Sequence, residues 1–190
     1  MRILVPESYS ELSVGQFKQL NDAWTAGGDE TDRALACIRI TCDLSEEEVR
    51  SLSEETVMKV VGHLQWLLNP DEQQTHPIVP RFHMGNAEYG FIPDWSKLSL
   101  GEMIDLENYA KQGFYETLER SMSVMYRRVT RSVGDLYDIE AYMPSDTKAA
   151  EMKNAPMDAA MGAMLFFSRI GRRLANDTIN YLREEAAAQK

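Results

Sequence analysis

Apolar residues recur along most of this chain at intervals of three and four, the spacing that lines one side of a helix, and prolines and glycines divide the pattern into segments. The first is SELSVGQFKQLNDAW, residues 10–24. Ser13 stands where a helix N-cap belongs, Gln16 completes a capping box, and Leu12 is placed to staple onto Phe17. A second helix is predicted from Glu30 to Asp43, with Ala34, Leu35, Ile38 and Cys42 at apolar positions. Ser45 and Glu48 form another capping box that opens a short helix. Glu54 to Leu68 continues with Val57, Val60, Val61, Leu64 and Leu68 at helical spacing until Asn69-Pro70 stops it.

The next stretch changes character. Prolines 70, 77, 80 and 93 exclude long helices, and RFHMGNAEYGF reads as a short β-hairpin turning at Gly85-Asn86. Helical spacing returns in SKLSLGEMIDLENYA, residues 96–110, where Ser99, Glu102 and the pair Leu98 and Met103 repeat the cap and the staple. SELSVGQFKQLND and SKLSLGEMIDLEN share Ser, Leu, Ser, Gly and Leu at an offset of 86 residues. This echo is either a duplicated helical unit or one capping solution reached twice.

From Tyr115 to Val133 the pattern predicts one long helix, with Leu118, Met122, Met125, Tyr126 and Val129 on the buried side. Arg120, Arg127, Arg128 and Arg131 then share a helical face, either a solvated, salt-bridged face or a docking patch for an acidic partner. DLYDIEAYMPSD alternates weakly, as a short strand or an irregular link, and a last helix is expected from Asp158 through Tyr181 before the tail EEAAAQK. The expected fold is mainly α, a helical bundle with a small β-hairpin connector. It divides into an N-terminal helical unit (1–69), a Pro-rich connector (70–95) and a C-terminal helical unit (96–190), with the echo raising the question of two related units.

The segment APMDAAMGAMLFFSRIGRRL, residues 155–174, tests the membrane alternative. A spanning helix needs about 20 apolar residues, and Ala159–Phe167 supplies a much shorter run between Asp158 and Arg169. The predicted reading is a packed helix. Ala159, Gly162 and Ala163 form a small-residue face that lets another helix approach closely, Met161, Leu165 and Phe166 form a neighbouring stripe, and Phe166, Phe167, Arg169, Arg172 and Arg173 sit at an edge facing a partner.

The formal charge of −10 disfavours direct nucleic-acid binding, because phosphates repel an acidic chain. That charge is uneven: residues 1–119 carry 9 Lys+Arg against 21 Asp+Glu, residues 120–190 carry 11 against 9, and this asymmetry suits oriented assembly. Cys37 and Cys42 fit neither a CxxC redox pair nor a zinc knuckle and read as buried reduced thiols. With an apolar run of only three residues before Pro6, the N-terminus is too short of apolar residues for a signal-peptide core, so a reducing cytoplasm is the expected compartment.

Candidate chemistry is sparse. His63, His76 and His83 have no metal-site spacing, and no nucleophile elbow, phosphate loop or dinucleotide fingerprint is present. Carboxylate runs such as SEEEV sit at helix starts, where the dipole favours negative charge. No catalytic residue, cofactor or metal is therefore expected. Seven of the eleven methionines fall between Met122 and Met164, in keeping with either an adaptable core or a surface that re-packs around partners.

The order LSVGQFKQL, ALACIRITCDLSEEEVRSLSEETV, RFHMGNAEYGFIPD, LSLGEMIDLENYA, MYRRV and PMDAAMGAMLFFSRI is similar to small proteins of tailed-bacteriophage structural gene clusters. It most nearly resembles the tail assembly chaperones, cytoplasmic helical proteins that coat the tape-measure protein while tail-tube subunits polymerise. The resemblance implies a non-enzymatic binder of a long, apolar-striped helical client, received on the Met- and Ala-rich face, with the protein acting in the host cytoplasm. It transfers no catalytic or ligand residues. The alternative is a structural virion component, such as a head–tail connector, ring or tail subunit; under either reading the partners are phage proteins or further copies of the chain in a homo-oligomer. A third class is an enzyme or a host-takeover regulator.

Overall fold

A computed structural model describes residues 3–68, 75–113 and 115–169. Among these the chain is helix-rich, with a small four-stranded antiparallel sheet. The N-terminal third is helical: α1 (Val14–Thr25), α2 (Glu30–Thr41), α3 (Glu46–Arg50), α4 (Glu54–His63) and α5 (Gln65–Leu68). The starts of α1 to α4 follow from side-chain oxygens that accept the orphan N–H groups of a first turn. Ser13 with Gln16 and Ser45 with Glu48 close capping boxes as the sequence predicts, and Asp29 with Asp32 closes one that the sequence reading did not anticipate. The segment expected as one helix from Glu54 is interrupted at Leu64, and its expected stop at Asn69-Pro70 lies outside the described residues.

The hairpin is present. Strands β1 (Arg81–Met84) and β2 (Ala87–Phe91) pair with Met84 opposite Ala87, and Gly85 takes the positive φ of 59° that opens the two-residue turn. A 3-10 turn, Trp95–Lys97, leads to α6 (Leu100–Gln112), which starts from the Ser99–Glu102 capping box.

The single helix expected from Tyr115 to Val133 is not formed. Helix α7 spans Leu118–Met125 and passes directly into strand β3, Tyr126–Val133. The apolar spacing Leu118, Met122, Met125 is helical up to that point. Beyond it, β-branched Val129, Thr130 and Val133 suit a strand, and β2 offers an open edge on which Tyr126 pairs with Phe91 and Arg128 with Tyr89. Strand β4 (Leu136–Ile139) returns along β3, so the sheet runs β1-β2-β3-β4 and extends well beyond the expected connector. Helix α8 (Asp146–Glu151), a 3-10 turn (Met152–Asn154) and helix α9 (157–169) complete the described chain.

One core draws on the N-terminal helices, strands β1 to β3 and helices α6, α7 and α9. Val14, Ile38 and Leu64 meet Phe82, Phe91, Met122, Tyr126, Met157 and Ala163 in a single cluster of buried side chains. The starts of α1 and α9 are clasped by backbone: the Val14 N–H donates to the Ala155 carbonyl at 2.9 Å and the Met157 N–H to the Leu12 carbonyl at 2.8 Å. Ser13 thus caps α1 while its neighbours anchor the start of α9.

Candidate interaction site

Helix α9 presents its small residues inward. Ala159, Ala160 and Ala163 are fully buried, and a Cβ at Gly162 would strike the backbone of Pro77 and Ile78. The close approach expected at this face therefore exists, but extended chain makes it rather than a second helix. Extended backbone is narrower than a helix and can lie directly in the groove that a glycine leaves. The Tyr126 hydroxyl fixes the arrangement from beneath, donating to the Val79 carbonyl at 2.7 Å and lying 3.5 Å from the Ala159 carbonyl. Burial holds its pKa far above the usual phenol range.

This packing buries most of the Met- and Ala-rich face, with Met161 and Met164 partly buried. Met122, Met125, Met152 and Met157 are all core residues, and only Met143 among the seven later methionines is largely exposed. What α9 leaves outward is an aromatic edge. Phe166 and Phe167 are half-buried, Trp95 tilts over both at centroid distances of 5.0 and 6.4 Å, and Phe166 meets Phe91 edge-on. Leu165 beside them is 37 % exposed. The Trp95 indole N–H is buried without a hydrogen-bond partner among the described residues. Arg169 is exposed at the end of the described helix, whereas Arg172 and Arg173, and the expected continuation to Tyr181, lie outside the described residues.

The four arginines expected on one helical face are dispersed, because α7 gives way to β3 between the first and the others. Arg120 lies on α7, 3.6 Å from Asp146. Arg127 is buried, its guanidinium 2.7 Å from the Glu102 carboxylate and over the Tyr142 ring, and its Nε has no partner among the described residues. Arg128, on the opposite face of β3, donates to the Tyr89 hydroxyl and to Glu151. Arg131 is exposed farther along the strand. They form no common patch.

The β3–β4 hairpin is the other outward feature. Its outer part curls over β2, where the Tyr137 ring covers Gly90 and the Tyr137 hydroxyl donates to the carbonyls of Phe91 at 2.8 Å and Pro80 at 3.1 Å. Arg81 secures the tip by donating to the Ser132 hydroxyl and the Gly134 carbonyl. The sequence holds a signal for this hairpin: Val129, Thr130 and Val133 on one side and Tyr137 and Ile139 on the other, all strand-favouring, around a two-residue Gly134-Asp135 turn.

The titratable groups are scattered. His63 contacts the Lys59 carbonyl, His76 meets the Tyr9 ring, and His83 is exposed on β1. Among the described residues no group of three or more His, Cys, Asp or Glu side chains is placed to hold a metal ion, and no helix is long and apolar enough to cross a membrane. Cys37 and Cys42 are both free thiols, and burial pushes Cys37 up to about 11. Comparison of the chain with protein-family models, with curated proteins and with solved structures gave no match.

Proposed function

We propose that this chain is a non-enzymatic bacteriophage assembly protein of the tail-assembly-chaperone kind, which binds an apolar-striped helical client such as the tape-measure protein in the host cytoplasm. The observation that carries the reading is the aromatic edge of Trp95, Phe166 and Phe167. It stays half-exposed beside Leu165 although the inner face of the same helix is filled with small residues and sealed. Large flat side chains at such an edge take apolar residues of a helix spaced at i, i+3 and i+4. The client contact is therefore assigned to Phe166, Phe167 and Arg169 of α9 rather than to its Met and Ala residues.

Two further elements belong to the proposal. The shared openings at Ser13 and Ser99 support two related helical units arranged as a bundle. The hairpin arm, with Val133 65 % and Leu136 79 % exposed, favours the second reading of a virion subunit, since such arms make fixed subunit contacts.

Co-expression with a helical tape-measure segment and recovery on a tag tests the client contact. The unaltered protein retains the segment; Phe166→Asp and Phe167→Asp release it while melting shows an intact fold. Retention by both variants, or no retention by the unaltered chain, removes the client reading.

A further inference from the structure

On the β3–β4 arm, Val133 stands directly opposite Leu136 and Arg131 directly opposite Asp138. Residues two apart on a strand share a face, and so do directly opposed residues, so these four side chains lie together on one face of the arm. All four are exposed. Arg131 and Asp138 make no ion pair with each other or with another side chain among the described residues. The other face is occupied, with Tyr137 on Gly90. The four side chains line a shallow groove of about 680 Å³, bordered by Pro93, Asp94, Lys97 and Asp135.

We propose that this face is a self-association surface on which two copies of the chain pack arm against arm. Its charge pattern is self-complementary. With a two-fold axis running along the arm, β3 of one copy faces β4 of the other. Arg131 then meets the partner's Asp138, Val133 meets the partner's Leu136, and the symmetry repeats each contact. Four exposed aliphatic side chains, two from each copy, leave water near the tips of the arms while two ion pairs form beside them. A second copy matches this row of one acid, one base and two aliphatic residues without further adaptation. The arm is small, so the association belongs with weak, concentration-dependent contacts. It does not rest on the client proposal: no residue of α9 lines the groove.

Sedimentation velocity from low micromolar to near-millimolar concentration tests this with four proteins. The unaltered chain dimerises as concentration rises. Leu136→Asp and Arg131→Asp each weaken the dimer by about tenfold or more, the second because it sets like charges face to face twice. The double swap Arg131→Asp with Asp138→Arg restores association to within a few-fold. Far-UV circular dichroism and melting should match in all four, since the altered side chains are exposed. A chain that stays monomeric throughout, a dimer indifferent to the single variants, or a double swap no better than either single one overturns the proposal.

Discussion

The ring of Tyr137 lies against the backbone of Gly90, so closely that a Cβ on Gly90 would overlap it. This contact, with the two carbonyls that accept from the Tyr137 hydroxyl, folds the β3–β4 arm back over β2. Gly90→Ala should therefore displace the ring and loosen the arm. The expected cost is about 1 to 3 kcal/mol, read as a lower melting temperature together with faster amide exchange over β4.

Gly162 and Gly62 are both helical, but their surroundings differ. A Cβ at Gly162 meets the Pro77 carbonyl, whereas at Gly62, on α4, it meets nothing within 4 Å. Gly162→Ala should cost about 1 to 3 kcal/mol, since backbone gives way less easily than a flexible side chain, and Gly162→Leu should cost more. Gly62→Ala should raise stability by about 0.5 to 1 kcal/mol through helix propensity. Denaturant unfolding of the three variants checks both signs.

Arg127 and Glu102 form a buried pair that fastens β3 to the start of α6. Removing one partner strands a charge in the interior, so Arg127→Met should destabilise by about 3 to 5 kcal/mol. The double variant Arg127→Met with Glu102→Gln should recover part of that loss, because the uncompensated charge is gone. Gln already serves at the same capping-box position in α1, where Gln16 accepts from the Ser13 N–H at 2.9 Å. A double-mutant cycle in urea measures the coupling.

Cys37 is buried and its thiol is raised from 9.0 to about 11, with burial the main cause. The folded chain thus holds a proton that the unfolded chain releases first. This contribution to stability is fully present below pH 9 and disappears as pH rises through about 11. Tyr126, also raised, acts in the same direction at still higher pH. The denaturant midpoint should fall across this window, less so in Cys37→Ala relative to its own neutral-pH value, and Cys37 in the native protein should resist alkylation at pH 8.

Local chemistry was the legible part of this chain. The Ser13, Ser45 and Ser99 capping boxes and the Gly85-Asn86 hairpin depend on residues within a few positions of one another, and all are present. The span 115–133 misled because Met122, Met125, Tyr126 and Val129 fit a helical period, while the strand from Tyr126 onward is set by pairing with Phe91 and Tyr89, over thirty residues away. The same non-local pairing disperses the arginines. Arg127 lies beside Arg128 in sequence, yet the alternation of a strand buries one against Glu102 and turns the other toward Glu151. The sequence places Phe166 and Phe167 at an edge but gives no sign of their partner Trp95, since only the fold brings the Trp95–Lys97 turn against α9.

The central claim is that the protein acts by transient binding during assembly. Quantitative mass spectrometry of purified phage particles, set beside the lysate that produced them, tests it most directly. The account predicts a chain abundant in the lysate and absent from the particles. Stoichiometric copies in the particles would contradict it and make the chain a structural subunit.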